Sequence, residues 1–157
     1  MSMAITVQDY LRDAKIAFEV VDHPKRLTSV RIADSAHIAE DQLAKGVLLK
    51  DEEGGFILAV VGSDRRVDVG EVSHALHKSV ELADEQEIFG LFSDCDPGAI
   101  PPLGEAYGLP MVIDEVLTRQ DDVYFEAGDH MKLVHMKGDD FGILMRDATP
   151  AGFGNPV

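Results

Sequence analysis

The chain has one cysteine in 157 residues, and a single thiol cannot form an internal disulfide. The reducing cytoplasm is therefore the expected setting. Basic residues are scarce as well: 14 Lys and Arg against 29 Asp and Glu leave a formal net charge of −15. Proteins that grip nucleic acid over a wide surface carry a basic face. Wrapping of a polyanion and binding to DNA are therefore not expected, and any nucleic-acid contact must be local. No run approaches the roughly 18 uninterrupted apolar residues of a membrane helix, so no membrane association is expected. The N-terminal stretch MSMAITVQDYLRDAK lacks the positive n-region and apolar core of a signal peptide. No repeat, low-complexity segment or linker divides the chain. One domain over 1–157 is expected, with its core at about 4–146 and an irregular C-terminal tail.

The pattern along the chain alternates between the two secondary-structure periods. TVQDYLRDAKI has apolar residues at 7, 10, 11 and 14, a helical spacing with Thr6 as its N-cap candidate. AFEVVD alternates as a strand, and SVRIADSAHIAED reads as a second helix. GVLLK and FILAVVG, joined by DEEGG, form a hairpin signal. DVGEVSHALH is a helix, SVELA a short strand and DEQEIFGLF a short helix with acids in its first turn, where the helix dipole favours them. PMVID, DVYFEA and MKLVHM read as strands, and DDFGILM as a closing helix. The fold class is α+β: a central mixed sheet surrounded by helices.

Between the short helix and PMVID lies SDCDPGAIPPLGEAYGLP, residues 93–110, with four of the seven prolines, three glycines and the cysteine. Proline fixes φ and removes an N–H, while glycine admits a ligand close to the backbone. Gly98–Gly104 is expected to be a stiff arch whose free N–H groups, around Ala99 and Ile100, can hold a carbonyl or an oxyanion. A plain rigid connector is the alternative. Lys45 opens an apolar strand, where an ammonium is costly to bury unpaired. It either faces solvent at the strand's start or presents one cation to a phosphate or carbonyl, with Gly46 beside it permitting close approach. Arg65-Arg66 reads as a surface turn.

Lys45 at a strand start, DRRVD, GAIPPLG, PMVID and VYFEAGDH occur in that order over roughly residues 4–146. In this the chain resembles the YbaK/prolyl-tRNA synthetase-associated domain family of aminoacyl-tRNA editing domains. The resemblance implies a trans-acting deacylase that hydrolyses the ester of mischarged tRNA, with the acceptor end of an aminoacyl-tRNA as partner. It implies no cofactor, no metal and no obligatory side-chain nucleophile. The substrate's own ribose hydroxyl, or its thiol if the amino acid is cysteine, would assist. By residue, it implies catalytic roles for Lys45, near the terminal adenosine, and for Gly98, in a Gly-x-x-x-Pro loop that holds the carbonyl. Gly46, Ala99, Ile100, Pro101, Pro102, Leu103, Ala127, Gly128 and His130 become expected substrate-binding residues. Arg65 and Arg66 become candidate phosphate contacts. A monomer or weak homodimer is expected.

Two other readings stay open. A non-catalytic module that kept the pocket for a small ligand or a tRNA end fits the acidic charge. A cysteine hydrolase would use Cys95 with His130 as base, although Asp94 and Asp96 disfavour the reactive thiolate. His130 and His135 are five apart on an extended segment and point to opposite faces, and no Cys/His spacing suggests zinc.

Overall fold

A computed structural model describes residues 3–22, 39–96, 98–129 and 131–156. The chain begins with α1 (Ile5–Ala14) and β1 (Glu19–Asp22). The helix expected from SVRIADSAHIAED falls almost wholly outside the described residues; its last acids start a short 3-10 turn, Glu40–Gln42. The hairpin follows as β2 (Leu43–Asp51) and β3 (Phe56–Gly62), then β4 (Arg65–Val67) and α2 (Val69–Leu76). Next come β5 (Val80–Leu82), α3 (Glu85–Leu91), β6 (Met111–Asp114), β7 (Asp122–Glu126) and β8 (Lys132–Lys137). The chain closes with α4 (Gly138–Leu144), β9 (Thr149–Ala151) and β10 (Gly154–Pro156).

Eight strands form one mixed sheet in the order β1-β8-β7-β2-β3-β6-β9, with β5 also paired to β2. The β2–β3 and β7–β8 pairs are antiparallel, whereas β2–β7, β3–β6 and β6–β9 are parallel. The architecture is α+β. Period-2 alternation on β2 sends Ala44 and Leu48 to one face, where they meet Val7 and Leu11 of α1, Phe141 of α4, and Phe92 and Leu103. Val47 and Leu49 point to the other face, against Val72 of α2 and Phe153. Val7 and Leu11 are fully buried, and each such side chain contributes roughly 1.5–3 kcal/mol.

Three expectations need correction. Thr6 is not the N-cap of α1: the helix starts at Ile5, two residues earlier than a Thr6 cap would set it, with Ala4 at the cap position and no side-chain cap of its own. The orphaned Thr6 N–H is met from across the molecule by Asp94 Oδ2 at 3.0 Å, which also places a carboxylate at the positive end of the helix dipole. Arg65 and Arg66 form strand β4, not a turn, and pair with Pro156 and Asn155 of β10. The tail is not irregular, because buried Asp114 accepts the N–H groups of Phe153 (3.2 Å) and Gly154 (3.0 Å) and pins it down. A pattern of single turns and three-residue strands is too short to stand out in a sequence.

Candidate active site

One edge of β2 pairs with β3 along most of its length, from Ala44 to Lys50. The other edge is shared: β7 takes Leu43 and Ala44, and β5 takes Leu49 to Asp51. The Leu48 carbonyl accepts the Ala83 N–H at 3.0 Å. Lys45–Val47 therefore have no strand beside them on that edge among the described residues. A split in a sheet leaves backbone donors and acceptors that a ligand can reach.

Lys45 stands where the split opens. It is half-buried, and alternation sets it on the α2 face beside Val61, its partner on β3. Burial lowers its pKa; Asp64 works against that shift and Arg66 adds to it. Gly46 points the other way, and a Cβ there would lie 3.1 Å from Leu58 Cδ1. Core packing alone thus favours a small residue at this position.

Just past the end of β7, the fold joins two segments that the chain separates by about thirty residues. The Asp96 N–H donates to the Gly128 carbonyl at 2.7 Å, and the Ala4 N–H to the Ala127 carbonyl at 2.8 Å. Gly128 has φ 102°, and a Cβ on it would meet Ala4 Cβ at 2.9 Å and Cys95 Sγ at 3.3 Å. Only glycine permits both that conformation and that approach.

The proline-glycine loop is not the open arch its composition suggests. The Ala99 N–H donates to the Asp96 carbonyl at 3.0 Å, and Gly98 has φ 80°. The Asp96 carbonyl therefore takes the N–H three residues on, with Gly98 just before that donor at a positive φ that glycine accepts without strain. Of the two N–H groups expected to be free, Ala99's is spent. Gly98 is exposed and Ile100 half-buried, and neither N–H has a partner among the described residues. Ala99, Pro101, Pro102 and Leu103 are buried behind them. Leu103 belongs to the main core, and the N–H of Gly104 points at Met111 Sδ at 3.2 Å. Gly98 and Ile100 also border a cavity of about 450 Å³ against α3.

Two carboxylates join the site that sequence reasoning did not single out. Glu126 lies one residue past Phe125, the partner of Ala44, as Lys45 lies one residue past Ala44. It is buried; burial pushes its carboxyl up to about 8, and the charges of Asp129 and Asp96 add to the shift. Asp129 is fully buried, and its Oδ1 accepts the N–H groups of Met131 (3.0 Å) and Lys132 (2.9 Å). An acid on the polar phase of an otherwise apolar strand end, next to Ala-Gly, is the one signal that could have marked Glu126.

A family model for an aminoacyl-tRNA editing domain matches residues 23–142, most of the chain and the whole of this site apart from α1. The chain belongs to the aminoacyl-tRNA editing domain family. Solved structures share the editing domain's fold. Hypothetical protein APE2540 superposes with a TM-score of 0.84 at 20% identity, over 96% of this chain and 99% of that one. A proposed trans-editing enzyme for prolyl tRNA synthetase does so at 0.84 and 23%, over 97% and 96%. A proposed signal transduction protein from Marinobacter aquaeolei VT8 gives 0.79 and 20%, over 98% of this chain and 31% of that one. No curated protein matches the chain.

The remaining candidate residues of the editing domain are placed as follows. Arg65 gives an N–H of its guanidinium to the Gly154 carbonyl at 3.1 Å, while Arg66 is exposed. His130 lies outside the described residues. Cys95 is 8% exposed and sits 3.3 Å from the Tyr107 hydroxyl. Burial, with Asp94 and Asp96, pushes its thiol up to about 12, so at neutral pH it is not a thiolate nucleophile. Among the described residues, no helix is long and apolar enough to cross a membrane.

Proposed function

We propose that this editing domain hydrolyses the ester of mischarged aminoacyl-tRNA in trans. The observation that carries the reading is the split beside Lys45, on the edge where β7 leaves β2 and runs on to Ala127-Gly128, to which the Asp96 N–H ties the loop. An aminoacyl ester is already activated. The protein need only position it, stabilise the oxyanion and admit an attacking oxygen. The ester carbonyl lies against the Gly98 and Ile100 N–H groups, and Lys45 offsets phosphate charge at the acceptor end. Water adds to the carbonyl carbon and the bond to the ribose oxygen breaks. A free amino acid and a tRNA with its terminal hydroxyl restored leave the site. The vicinal ribose hydroxyl assists as proton relay.

The test is a panel of mischarged tRNAs incubated with wild type and Lys45→Ala. The expected outcome is hydrolysis of at least one ester by wild type and loss of most of it in the variant, with a melting temperature within a few degrees. A Lys45→Ala protein with full turnover removes the lysine from the mechanism. The second reading, a module that binds a tRNA end or small ligand without cleaving it, is favoured by the charge of −15. It predicts saturable binding with no release of amino acid.

A further inference from the structure

His135 sits on β8 between two strands that each bring a carboxylate to its ring. Register sets it opposite Glu19 of β1 on one side and Tyr124 of β7 on the other. Its Nδ1 meets Glu19 Oε1, and its Nε2 lies 2.9 Å from Asp122 Oδ1. The Tyr124 ring stacks on the imidazole with centroids 4.3 Å apart. Lys137, on β8 itself, faces the same Asp122 oxygen at 3.6 Å. These are the charged and titratable groups about the ring among the described residues. The two carboxylates stand at different ring nitrogens, so they do not converge on one metal ion.

An ionised carboxylate only accepts hydrogen bonds, and a neutral imidazole has one N–H to give. Only the imidazolium satisfies both partners at once. β1 is the end strand of the sheet and pairs with β8 alone among the described strands. Its last residue, Asp22, is held by Lys132 at 2.9 Å, while the side chain of its first residue, Glu19, is held by the imidazole.

We infer that His135 is a pH-sensitive latch, which holds the start of β1 to the sheet while its ring is doubly protonated and lets it go when the ring is neutral. The Glu19 side chain is 66% exposed and that of Asp122 32%, so water screens and replaces Glu19 more readily. The neutral ring therefore keeps its N–H at Nε2 for Asp122 and turns the Nδ1 lone pair toward Glu19. The bond lost is the one to β1. Burial lowers the pKa of His135, and the hydrogen bonds to Asp122 and Glu19 outweigh it, leaving the pKa above the ordinary 6.5. A raised imidazole gives stability that is fully present below the unfolded value and is lost as pH rises through the folded one. The latch is thus shut in mild acid and opens on the alkaline side of 6.5. β1 follows α1, whose start is tied to Ala127 and Asp94 beside the candidate site. Opening frees the other end of that segment. None of this depends on the proposed deacylation.

The experiment follows the His135 ring signals by NMR between about pH 5 and 9, in the full chain and in Glu19→Gln and Asp122→Asn. Amide exchange of β1 is measured beside it, as protection relative to an unprotected chain at the same pH. The expected midpoint lies above 6.5 in wild type. It falls in both variants, further in Asp122→Asn. Each unit by which the latch raises the midpoint is about a tenfold loss of β1 protection across the titration, and at least about a threefold loss is expected, from half a unit. Glu19→Gln should level this dependence, because an amide can donate to the neutral ring. His135→Phe keeps an aromatic ring against Tyr124 and should level it too. A wild-type midpoint at or below 6.5 overturns the inference. So does a midpoint that Glu19→Gln leaves unchanged, which would put the ring on β7 alone. β1 protection that ignores the titration of His135, or that keeps its pH dependence in His135→Phe, overturns it as well.

Discussion

At the scale of single residues, the candidate site holds one carboxylate, Glu126, whose charge the fold resists. Its carboxyl is raised from an ordinary 4.5 to about 8 by burial, then by Asp129 and Asp96. A raised carboxyl means that the folded state holds its proton more tightly than the unfolded one. Stability is therefore fully present below the unfolded value and is lost as pH rises toward about 8. Glu126→Gln keeps the shape and removes the titration. Its stability relative to wild type should rise through pH 5 to 8, by at most about 1.4 kcal/mol per pH unit, and stay level below pH 4. Urea melts at four pH values measure this, and parallel curves for the two proteins would show that Glu126 is ionised in the fold.

At the scale of elements, one loop holds the site together by serving three neighbours. Asp94 caps α1 through the Thr6 N–H, and it accepts the Tyr107 hydroxyl at 2.9 Å. Asp96 ties the loop to Gly128, and the turn closed by Ala99 sets the direction of Gly98. Prolines and glycines in this segment therefore do more than open a backbone: they bury Pro101 to Gly104 as core while turning Gly98 and Ile100 outward. Asp94→Ala should cost about 1 kcal/mol, the usual value of a lost N-cap, and several degrees in melting temperature. Asp94→Asn should recover part of it, because an amide oxygen still accepts the Thr6 N–H. Differential scanning calorimetry of the three proteins reads the order; an alanine variant as stable as wild type would mean that water caps α1 equally well.

At the scale of the whole molecule, charge limits how a tRNA can be held. Arg65 is committed to the Gly154 carbonyl, and Lys132 to Asp22 at 2.9 Å. Lys45 and Arg66 are the described cations nearest the split that remain for phosphates. Binding of an acceptor-stem RNA should accordingly have a shallow log–log salt slope, between about −1 and −3 for two to four single-strand contacts. Titrations between 50 and 200 mM salt, as about a fourfold range, give the slope; one steeper than about −5 would require a basic surface that the described residues do not offer. Local pattern determined much of this protein: the β2–β3 hairpin, α1, α2, α3, α4, the long strands and the acidic charge all follow from spacing and composition, and the ordered motifs carried the family. Motif order also singled out Lys45, the loop and Ala127-Gly128 as candidates, because each sits in a short contiguous signature. Tertiary structure alone decided the rest. Asp94 meets Thr6, Asp96 meets Gly128, and Glu126 falls level with Lys45 through pairings between distant segments, and no local period encodes which strand lies beside which. The tail became β9 and β10 for the same reason: three residues hold a strand only when a buried Asp114 and a neighbouring edge are already in place to receive their N–H groups.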